Sequence, residues 1–497
     1  MSGVRENVLF VGNQGSKYVL DFYTGISKGI LSRKPDEINA FCSSWIAAEN
    51  EYLLSQGWKK SSIFSFEDWV INNNIDVENE LKRINIEYKD TNWSLVIAAE
   101  RSFTDYSMLL GTIGERHENN EYVMRLMCNL ITYYENIINT HSITAIVAQT
   151  ADTIISFVAM KVAQQLGVSL YVISPAWLLE SGMEGGFHTY DEFMHCSAME
   201  RSYKSRENTE LTDEENVRVR GLISGICGFS GTTDFHKKQG WVTTTQVLSP
   251  NIKKPFKFVI NNHLHDKNIV YTKVDLYLKF KANILRLIRF YYTKKYFKNN
   301  DLSSIPEKSI FYALHMQPEQ STLAQGVWHV NQVSLVENIS KSLPLGYTLI
   351  VKEHPAGQGK RPAWQYRHMI NLHNVMFCNA DSKEIVKKVE AVIAVSGTIA
   401  LESLVLEKPT VILGSNFFDY CDLFFVINNI QNLPSVLRSI LIEHAYDKIP
   451  DKREKIFKFL MSYLDGIVPA YPFPENGDVW AECLVDDLFY NASHVGG

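Results

Sequence analysis

Residues 309–421 decide the fold of this sequence, through the segments SIFYALHMQPEQS (309–321), YTLIVKEHP (347–355) and AVIAVSGTIALESLVLEKPTVILG (391–414). In each segment a short apolar run ends in polar residues, and a helical pattern follows. Continuous apolar runs of this length are typical of buried parallel strands. Because ligands of open α/β sheets usually bind at the carboxyl ends of parallel strands, we expect a ligand crevice at these polar residues.

The composition is that of a globular protein with more than one domain. A chain of 497 residues is too long for one ordinary core, and 45% hydrophobic with 21% charged residues is typical of globular proteins. The net charge of −6 gives no reason to expect nucleic acid as a partner. The seven cysteines are scattered without a C-x-x-C pair, so neither a disulfide framework nor a zinc site fits their spacing.

No targeting or membrane-spanning segment is evident in the sequence. The first 16 residues contain four apolar residues in a row before Gly12, too few for a signal peptide. No run approaches the roughly 20 apolar residues that cross a bilayer. We therefore expect a reduced, cytoplasmic protein.

The first half of the chain follows a strand–helix alternation. Residues 7–12 are predicted as a buried strand, 18–54 as mainly helical and 93–103 as another strand. Residues 142–177 read as strand, helix and strand with short links, which is a parallel βαβ unit. A doubly wound α/β domain ending near residue 200 is the prediction.

Residues 201–305 break this rhythm with charged and turn-rich segments. Within them, 272–298 combine eight Lys or Arg and one Asp with a helical apolar pattern. A basic amphipathic helix can lie on an anionic membrane or guide an anionic acceptor. It can equally be an interdomain helix with solvated lysines. Both interpretations stay open.

The segment 391–414 contains the sharpest local signal. Ser396, Gly397 and Thr398 form a predicted turn from a strand into a helix. Backbone N–H groups at such a turn bind phosphate oxygens, and Glu402, one turn on, is placed to accept hydrogen bonds from a ribose. The alternative is that Ser396 or Thr398 only caps the helix.

Two other strand ends carry polar residues at the same predicted edge. Lys352, Glu353 and His354 close the strand of 347–355, and Gln317 follows the strand of 309–314. A lone histidine at a strand end is more often structural than functional. The coincidence of three polar strand ends favours a site.

These motifs together resemble the capsule polysaccharide biosynthesis family. The features that carry the resemblance are QP at 317–318, KEHP at 352–355 and the block VSGTIALES…KPTVILG at 395–414, within residues 309–421. The family includes bacterial transferases of 3-deoxy-manno-octulosonic acid (Kdo). It implies a GT-B-like α/β fold, in which two Rossmann-like doubly wound domains face a cleft, here with a mainly helical insertion between them.

The resemblance also implies a division of the chain and a donor site. We expect four parts: an acceptor-side domain (1–200), a charged and helical insertion (201–305), a nucleotide-sugar-binding domain (306–475) and a terminal helix that crosses back (476–497). The donor-site positions carried over are Gln317, His354, Ser396, Gly397, Thr398 and Glu402. Lys352 and His354 are expected to meet the nucleotide phosphate or the sugar carboxylate.

A transferase also needs a carboxylate from the first domain near the anomeric carbon. Asp152 follows the strand of 142–150, and Glu180 and Glu184 follow that of 169–177. Asp152 can instead be the N-cap of the next helix, and the two glutamates can be loop surface. One of them would act as the nucleophile of a retaining reaction or as the general base of an inverting reaction.

The leading hypothesis is a glycosyltransferase that moves an acidic sugar such as Kdo from a CMP donor onto a surface glycan or glycolipid. No Asp-x-Asp pair follows a strand of the first domain, so a mechanism with a divalent metal is not indicated. No cofactor is expected beyond the nucleotide-sugar co-substrate. The alternatives are a UDP- or GDP-sugar donor, a nucleotide-sugar 2-epimerase of similar fold, or a non-catalytic assembly partner. Expected partners are the donor, the acceptor and an anionic membrane surface through 272–298, with no nucleic acid.

Overall fold

The computed structural model describes residues 5–12, 17–100, 112–114, 120–149, 153–176, 185–228, 272–274, 276–297, 301–317, 321–354, 357–417 and 419–494. Its strands, in chain order, are β1 (Glu6–Val11), β2 (Ile38–Ser44), β3 (Ile63–Ser65), β4 (Thr112–Gly114), β5 (Ala145–Gln149), β6 (Ser169–Ala176), β7 (Gly185–Thr189), β8 (Thr272–Val274), β9 (Ser309–Ala313), β10 (Thr348–Lys352), β11 (Val375–Phe377), β12 (Ala391–Ala394), β13 (Thr410–Ile412) and β14 (Phe424–Val426).

The α-helices, in chain order, are α1 (Lys17–Arg33), α2 (Ala47–Ser55), α3 (Phe66–Asn72), α4 (Val77–Glu87), α5 (Trp93–Ala99), α6 (Asn120–Thr140), α7 (Ile154–Gln165), α8 (Ser197–Ser205), α9 (Asp213–Gly228), α10 (Leu276–Thr293), α11 (Gln332–Ser342), α12 (Ala363–Ile370), α13 (Ser382–Lys388), α14 (Ile399–Val405), α15 (Leu433–Leu441), α16 (Lys452–Asp465) and α17 (Gly477–His494). Short 3₁₀ turns and one π-helical turn, Ser321–Gln325, connect some of them.

Two six-stranded sheets organise the chain. The first has the order β3-β2-β1-β5-β6-β7, parallel except for the edge strand β7, and the second has the all-parallel order β11-β10-β9-β12-β13-β14. The strands β4 and β8 form a separate antiparallel pair. Two doubly wound, Rossmann-like units are therefore present, which confirms the predicted α/β fold class, and the βαβ unit of β5, α7 and β6 is confirmed as parallel.

The first half differs from the prediction at two places. The predicted strand of 93–103 is wrong, because 93–99 form α5, whose buried residues Val96 and Ala99 are spaced for a helix face. The prediction of 18–54 as mainly helical overlooked β2, which pairs with β1 in parallel from Ile38 to Ser43. In the second half, β9 to β13 are the five predicted strands, and β14 is an additional one.

Helices cover both faces of the second sheet. One face packs against α11, α12 and α15, and the other against α13 and α14. Helices α8, α9 and α16 join that second face, where Met199, Leu222 and Phe459 are fully buried. The helices that cover the second sheet thus include α8 and α9, which lie between the two sheets in sequence.

The terminal helix α17 packs along α1 of the first unit. Trp480 is fully buried there and donates its indole N–H to the Ala470 carbonyl at 3.1 Å. The Arg33 guanidinium forms an ion pair with Asp478 at 2.6 Å. Among the described helices, none combines the length and the apolar character that a bilayer crossing requires.

Candidate functional site

The second sheet has its topological switch point between β9 and β12. These strands are neighbours in the sheet, but the chain leaves β9 toward β10 and leaves β12 toward β13 on the opposite side. The connections therefore diverge and leave a crevice above the two carboxyl ends, the usual ligand position in open α/β sheets. Residues 314–317 and 395–398 border this crevice.

His315 and Gly397 meet at this switch point. A Cβ built on Gly397 would lie 3.5 Å from Cε1 of the His315 ring, so the imidazole lies directly against the backbone that enters α14. His315 Nδ1 is 3.1 Å from Ser321 Oγ, and its backbone N–H donates to Gln332 Oε1 at 3.1 Å. The sequence analysis did not single out His315, although it lies two residues before Gln317 in the same polar strand end.

Gln317 belongs to a buried network at the same strand end. Its amide nitrogen donates to the Val330 carbonyl, and its oxygen accepts from Arg361 Nη1 at 3.2 Å. Arg361 also donates to Glu353 Oε2 at 2.8 Å and to the His315 carbonyl. Both ends of the Gln317 side chain are thus engaged, and its visible role is to hold the loop that carries His315.

Glu353 is the anionic centre of this network and is only 1% exposed. Its Oε2 also accepts the Tyr366 hydroxyl at 2.6 Å, and its Oε1 accepts the His354 backbone N–H at 2.9 Å. The network therefore ties together the residues that follow β9 and β10. His354 itself is half-buried at the β10 end, next to this carboxylate.

Lys352 and Glu402 lie on the α13 and α14 side of the sheet. The Lys352 ammonium donates to Ser382 Oγ at 2.9 Å, and burial lowers its pKa against the opposing effect of Asp381 and Glu402. Burial raises the pKa of the Glu402 carboxyl to about 7, while nearby Lys383 and Lys352 counteract the shift. A carboxyl with this pKa changes its charge near neutral pH.

The predicted turn of 396–398 is present, but its hydroxyls do not cap α14. Ser396 is 4% exposed and donates to Gln325 Oε1 at 2.6 Å, and Thr398 occupies the N-cap position without a side-chain hydrogen bond to the helix. Thr398 is therefore the N-cap by position but makes no capping hydrogen bond, and Ser396 does not cap the helix. Ser396 instead fastens the π-helical turn of 321–325, while Thr398 is exposed.

That π-helical turn joins the two units. Leu323 and Ala324 are buried in the apolar cluster of the first unit, against α5 and α7. Beside the turn lies a cavity of about 650 Å³. Its lining residues from the first unit are Asp90, Thr91, Asn92, Leu95, Val96, Phe157, Lys161, Glu192 and Phe193. From the second unit its walls are residues 323–329, 413–415 and 428–430, with 79% of Trp328 exposed. The cavity is adjacent to the switch-point crevice, and none of the seven predicted donor-site residues lines it.

The three predicted catalytic carboxylates, Asp152, Glu180 and Glu184, lie outside the described residues. The cap of α7 is nevertheless visible: Thr153 accepts the Ser156 backbone N–H at 3.4 Å. The alternative that Asp152 is the N-cap is therefore wrong.

The structure reveals a buried carboxylate at the carboxyl end of β5. Glu100, 2% exposed, accepts the Ile154 backbone N–H at 2.9 Å, at the first turn of α7. Because the preceding segment was predicted as a strand and is α5, the sequence did not indicate where this side chain lies.

No protein-family model and no curated protein matches the sequence. Similar solved structures include UDP-GlcNAc 2-epimerase from Neisseria meningitidis bound to UDP-GlcNAc, at 11% identity over 98% of this chain and 100% of that chain, with a TM-score of 0.23. KpsC from Thermosulfurimonas dismutans, a beta Kdo 2,7 transferase, is 10% identical over 61% of this chain and 78% of that chain, with a TM-score of 0.31. Identities and TM-scores this low do not indicate what this chain binds or transforms.

Proposed function

We propose that this protein is a GT-B glycosyltransferase that binds a nucleotide-sugar donor in the crevice between β9 and β12. The observation that carries the proposal is the meeting of His315 and Gly397 at the switch point of the second sheet. The absence of a Cβ at Gly397 permits close approach of a ligand, and the imidazole beside it supplies a hydrogen-bond donor for a phosphate oxygen. The family resemblance of residues 309–421 supports the assignment to sugar transfer.

The donor proposed from that resemblance is a CMP-linked acidic sugar such as Kdo. His315 and His354 follow neighbouring strands, and both suit an anion such as the nucleotide phosphate or the sugar carboxylate. Thr398 adds an exposed hydroxyl at the same edge. Glu402 and Lys352 bind a ribose or the sugar carboxylate from the α14 side. Gln317 and Ser396 hold the surrounding loops in place.

The acceptor is proposed to be a growing bacterial surface glycan or glycolipid that enters between the two units. The cavity of about 650 Å³ beside the crevice has room for sugar rings, and Trp328 presents an aromatic face on which a sugar can stack. Asp152, Glu180 and Glu184 remain the proposed source of the first-domain carboxylate. In this metal-independent scheme, the basic groups at the crevice stabilise the leaving phosphate.

Titration with CMP, UDP and GDP tests the donor, read as a shift in melting temperature. A ligand that binds only the folded state raises the melting temperature, and we expect CMP to raise it most. Stabilisation by UDP or GDP without CMP would overturn the CMP assignment. Product analysis with the preferred donor then separates transfer onto an acceptor from 2-epimerisation, which needs none.

Replacement of His315 by Ala tests the crevice itself. Loss of a hydrogen bond to a charged phosphate costs about 1.5–3 kcal/mol, so the nucleotide should bind about 10- to 100-fold more weakly. His368→Ala is the matched control, since His368 lies on α12 with half its side chain exposed. Equal affinities for both variants and the wild type would rule out the proposed phosphate contact.

We also propose that α10 rests on an anionic membrane, which would make the protein cytoplasmic and peripheral on the inner membrane. Its exposed apolar side chains recur at helical spacing on one face: Ile284, Leu287, Ile288, Tyr291 and Tyr292. Lys281 and Lys295, also exposed, lie at the two ends of this face. Membrane-surface helices combine such an apolar face with flanking cations.

The opposite side of α10 is held by its arginines. Arg286 donates to the Gln358 carbonyl at 3.3 Å, and Arg289 donates to the Lys360 carbonyl at 2.8 Å. Ile288→Glu should therefore reduce cosedimentation with phosphatidylglycerol vesicles while it leaves the fold intact. Equal sedimentation of this variant and the wild type would argue against the membrane contact.

A further inference from the structure

One mixed group of metal-ligand side chains lies outside the crevice, among the described residues. A ring nitrogen of His188, the thiol sulfur of Cys483 and a carboxylate oxygen of Asp487 all lie within 4.8 Å of one another. His188 belongs to β7, the edge strand of the first sheet, and the other two residues belong to α17. Because Cys483 and Asp487 are four residues apart, they share one face of that helix.

The side chains of this group are shielded and poorly satisfied by hydrogen bonds. His188 Nε2 is 2.8 Å from Asp487 Oδ2, but that buried oxygen has no aligned hydrogen bond among the described residues. His188 Nδ1 is also shielded and has no hydrogen-bond partner there. Cys483 is a free, half-buried thiol. Three potential ligands thus converge on one point, where the His188–Asp487 ion pair leaves His188 Nδ1 without a hydrogen-bond partner among the described residues.

The ligand chemistry selects the kind of metal. A sulfur and an imidazole nitrogen beside a single carboxylate suit Zn²⁺, whereas Mg²⁺ and Ca²⁺ take oxygen ligands. With zinc–ligand distances of about 2.0–2.3 Å, the ligand atoms of a tetrahedral site are roughly 3.3–3.8 Å apart. The three ligand atoms, all within 4.8 Å of one another, are therefore close to the separations of such a site.

We propose that His188, Cys483 and Asp487 bind one Zn²⁺ ion, with water as the fourth ligand, and thereby fasten α17 to β7. Binding displaces the proton of the Cys483 thiol to solvent and forms a zinc–thiolate bond, with neutral His188 and ionised Asp487 as the other ligands. The bound ion would join the terminal helix to the edge of the first sheet. The cysteine spacing could not indicate it, since its ligands are a single cysteine, a histidine almost 300 residues earlier and a carboxylate.

The test uses the full chain, freed of metal by dialysis against a chelator and titrated with Co²⁺ and Zn²⁺. We expect one equivalent of Co²⁺ per chain, a cobalt–thiolate charge-transfer band in the near ultraviolet, and a higher melting temperature with Zn²⁺. Cys483→Ser should abolish the band and weaken zinc binding by at least about 100-fold, since it removes a direct ligand. Asp487→Asn should weaken zinc binding as well.

Two matched variants separate a built site from general attraction of cations. Asp486→Asn removes the same charge from the exposed neighbouring residue, and Cys227→Ser removes an exposed thiol elsewhere. Both should keep the cobalt–thiolate band. Loss of the band in Cys227→Ser but not in Cys483→Ser would overturn the proposal, as would equal weakening by Asp486→Asn and Asp487→Asn.

X-ray absorption of the zinc-loaded wild type gives a result that needs no variant. One sulfur and two or three nitrogen or oxygen neighbours are expected, and a first shell without sulfur refutes the site. If the wild-type chain binds no metal, the group is a simple His188–Asp487 ion pair, and the proposed zinc site is equally refuted. These readouts measure metal and not sugar transfer, so they are independent of the proposed function.

Discussion

Arg361→Met probes how the crevice is held in shape. The Arg361 guanidinium is 8% exposed and donates to Glu353, Gln317 and the His315 carbonyl. Methionine keeps most of the aliphatic volume but removes every donor. Glu353, 1% exposed, would then keep, among the described residues, the Tyr366 hydroxyl and one backbone N–H as partners.

The expected cost follows from the burial of this pair. Removing one partner of a buried ion pair costs about 3–5 kcal/mol, because the remaining charge is left uncompensated. We expect a loss near 4 kcal/mol in Arg361→Met, measured as a lower urea midpoint at unchanged slope. Nucleotide binding should weaken as well, since the His315 loop loses two of its anchors.

The double variant Glu353→Gln/Arg361→Met separates loss of charge balance from loss of packing. Its neutral amide no longer leaves a buried charge, so at least about 2 kcal/mol of the loss should be recovered. Arg367→Met, on the exposed side of α12, should change stability by no more than about 0.5 kcal/mol. A cost below about 1 kcal/mol in Arg361→Met, or a double variant no more stable than the single one, would refute the reasoning.

Three further predictions concern the crevice and the contact between the two units. A Cβ at Gly397 makes only ordinary contact at 3.5 Å, so Gly397→Ala should fold normally but bind nucleotide more weakly. Gly326→Ala should instead lose about 1–3 kcal/mol of stability in urea unfolding, because its Cβ would overlap the Val395 side chain. Burial raises the Glu402 pKa from 4.5 to about 7, so between these pH values the folded state keeps the carboxyl proton that the unfolded state has lost. The free energy of unfolding of the wild type should therefore fall by up to about 3 kcal/mol as the pH rises from 4.5 to 7. Glu402→Gln should remove this dependence on pH. Hydrogen bonds to Asp191 and Asp419 raise the His195 pKa from 6.5 to about 10. Protonated His195 therefore stabilises the folded state fully below pH 6.5, and this contribution is lost as the pH rises toward 10. The melting temperature of His195→Gln should not show this dependence on pH.

Strand prediction succeeded where burial on both faces leaves a continuous apolar run. The cores of β9, β10 and β12 are such runs, and each is followed by polar residues. β2 was overlooked because INAFCSS mixes polar and apolar residues. WSLVIAA was misread because a short apolar run has no periodicity that separates a strand from a buried helix.

The sequence located the polar strand ends but was less informative about the contacts of single residues. The polar ends of β9, β10 and β12 lie along one edge of the sheet, as the sequence indicated. Yet Gln317 and Ser396 use their polar atoms to hold loops, and His315, which the sequence analysis did not single out, lies against Gly397 at the switch point. Hydrogen-bond partners such as Arg361 and Gln325 are more than 40 residues away, so local pattern cannot identify them.

By itself the sequence determined the fold class and the polar strand ends near which the crevice would form. These are local properties: apolar runs form the strands, and the residues after them lie at the carboxyl edge whatever the strand order is. Only the tertiary structure decided that β9 adjoins β12, that His315 meets Gly397, and that His188 lies beside Cys483 and Asp487. Strand order and side-chain convergence arise from packing between segments far apart in the chain, which no window of sequence contains.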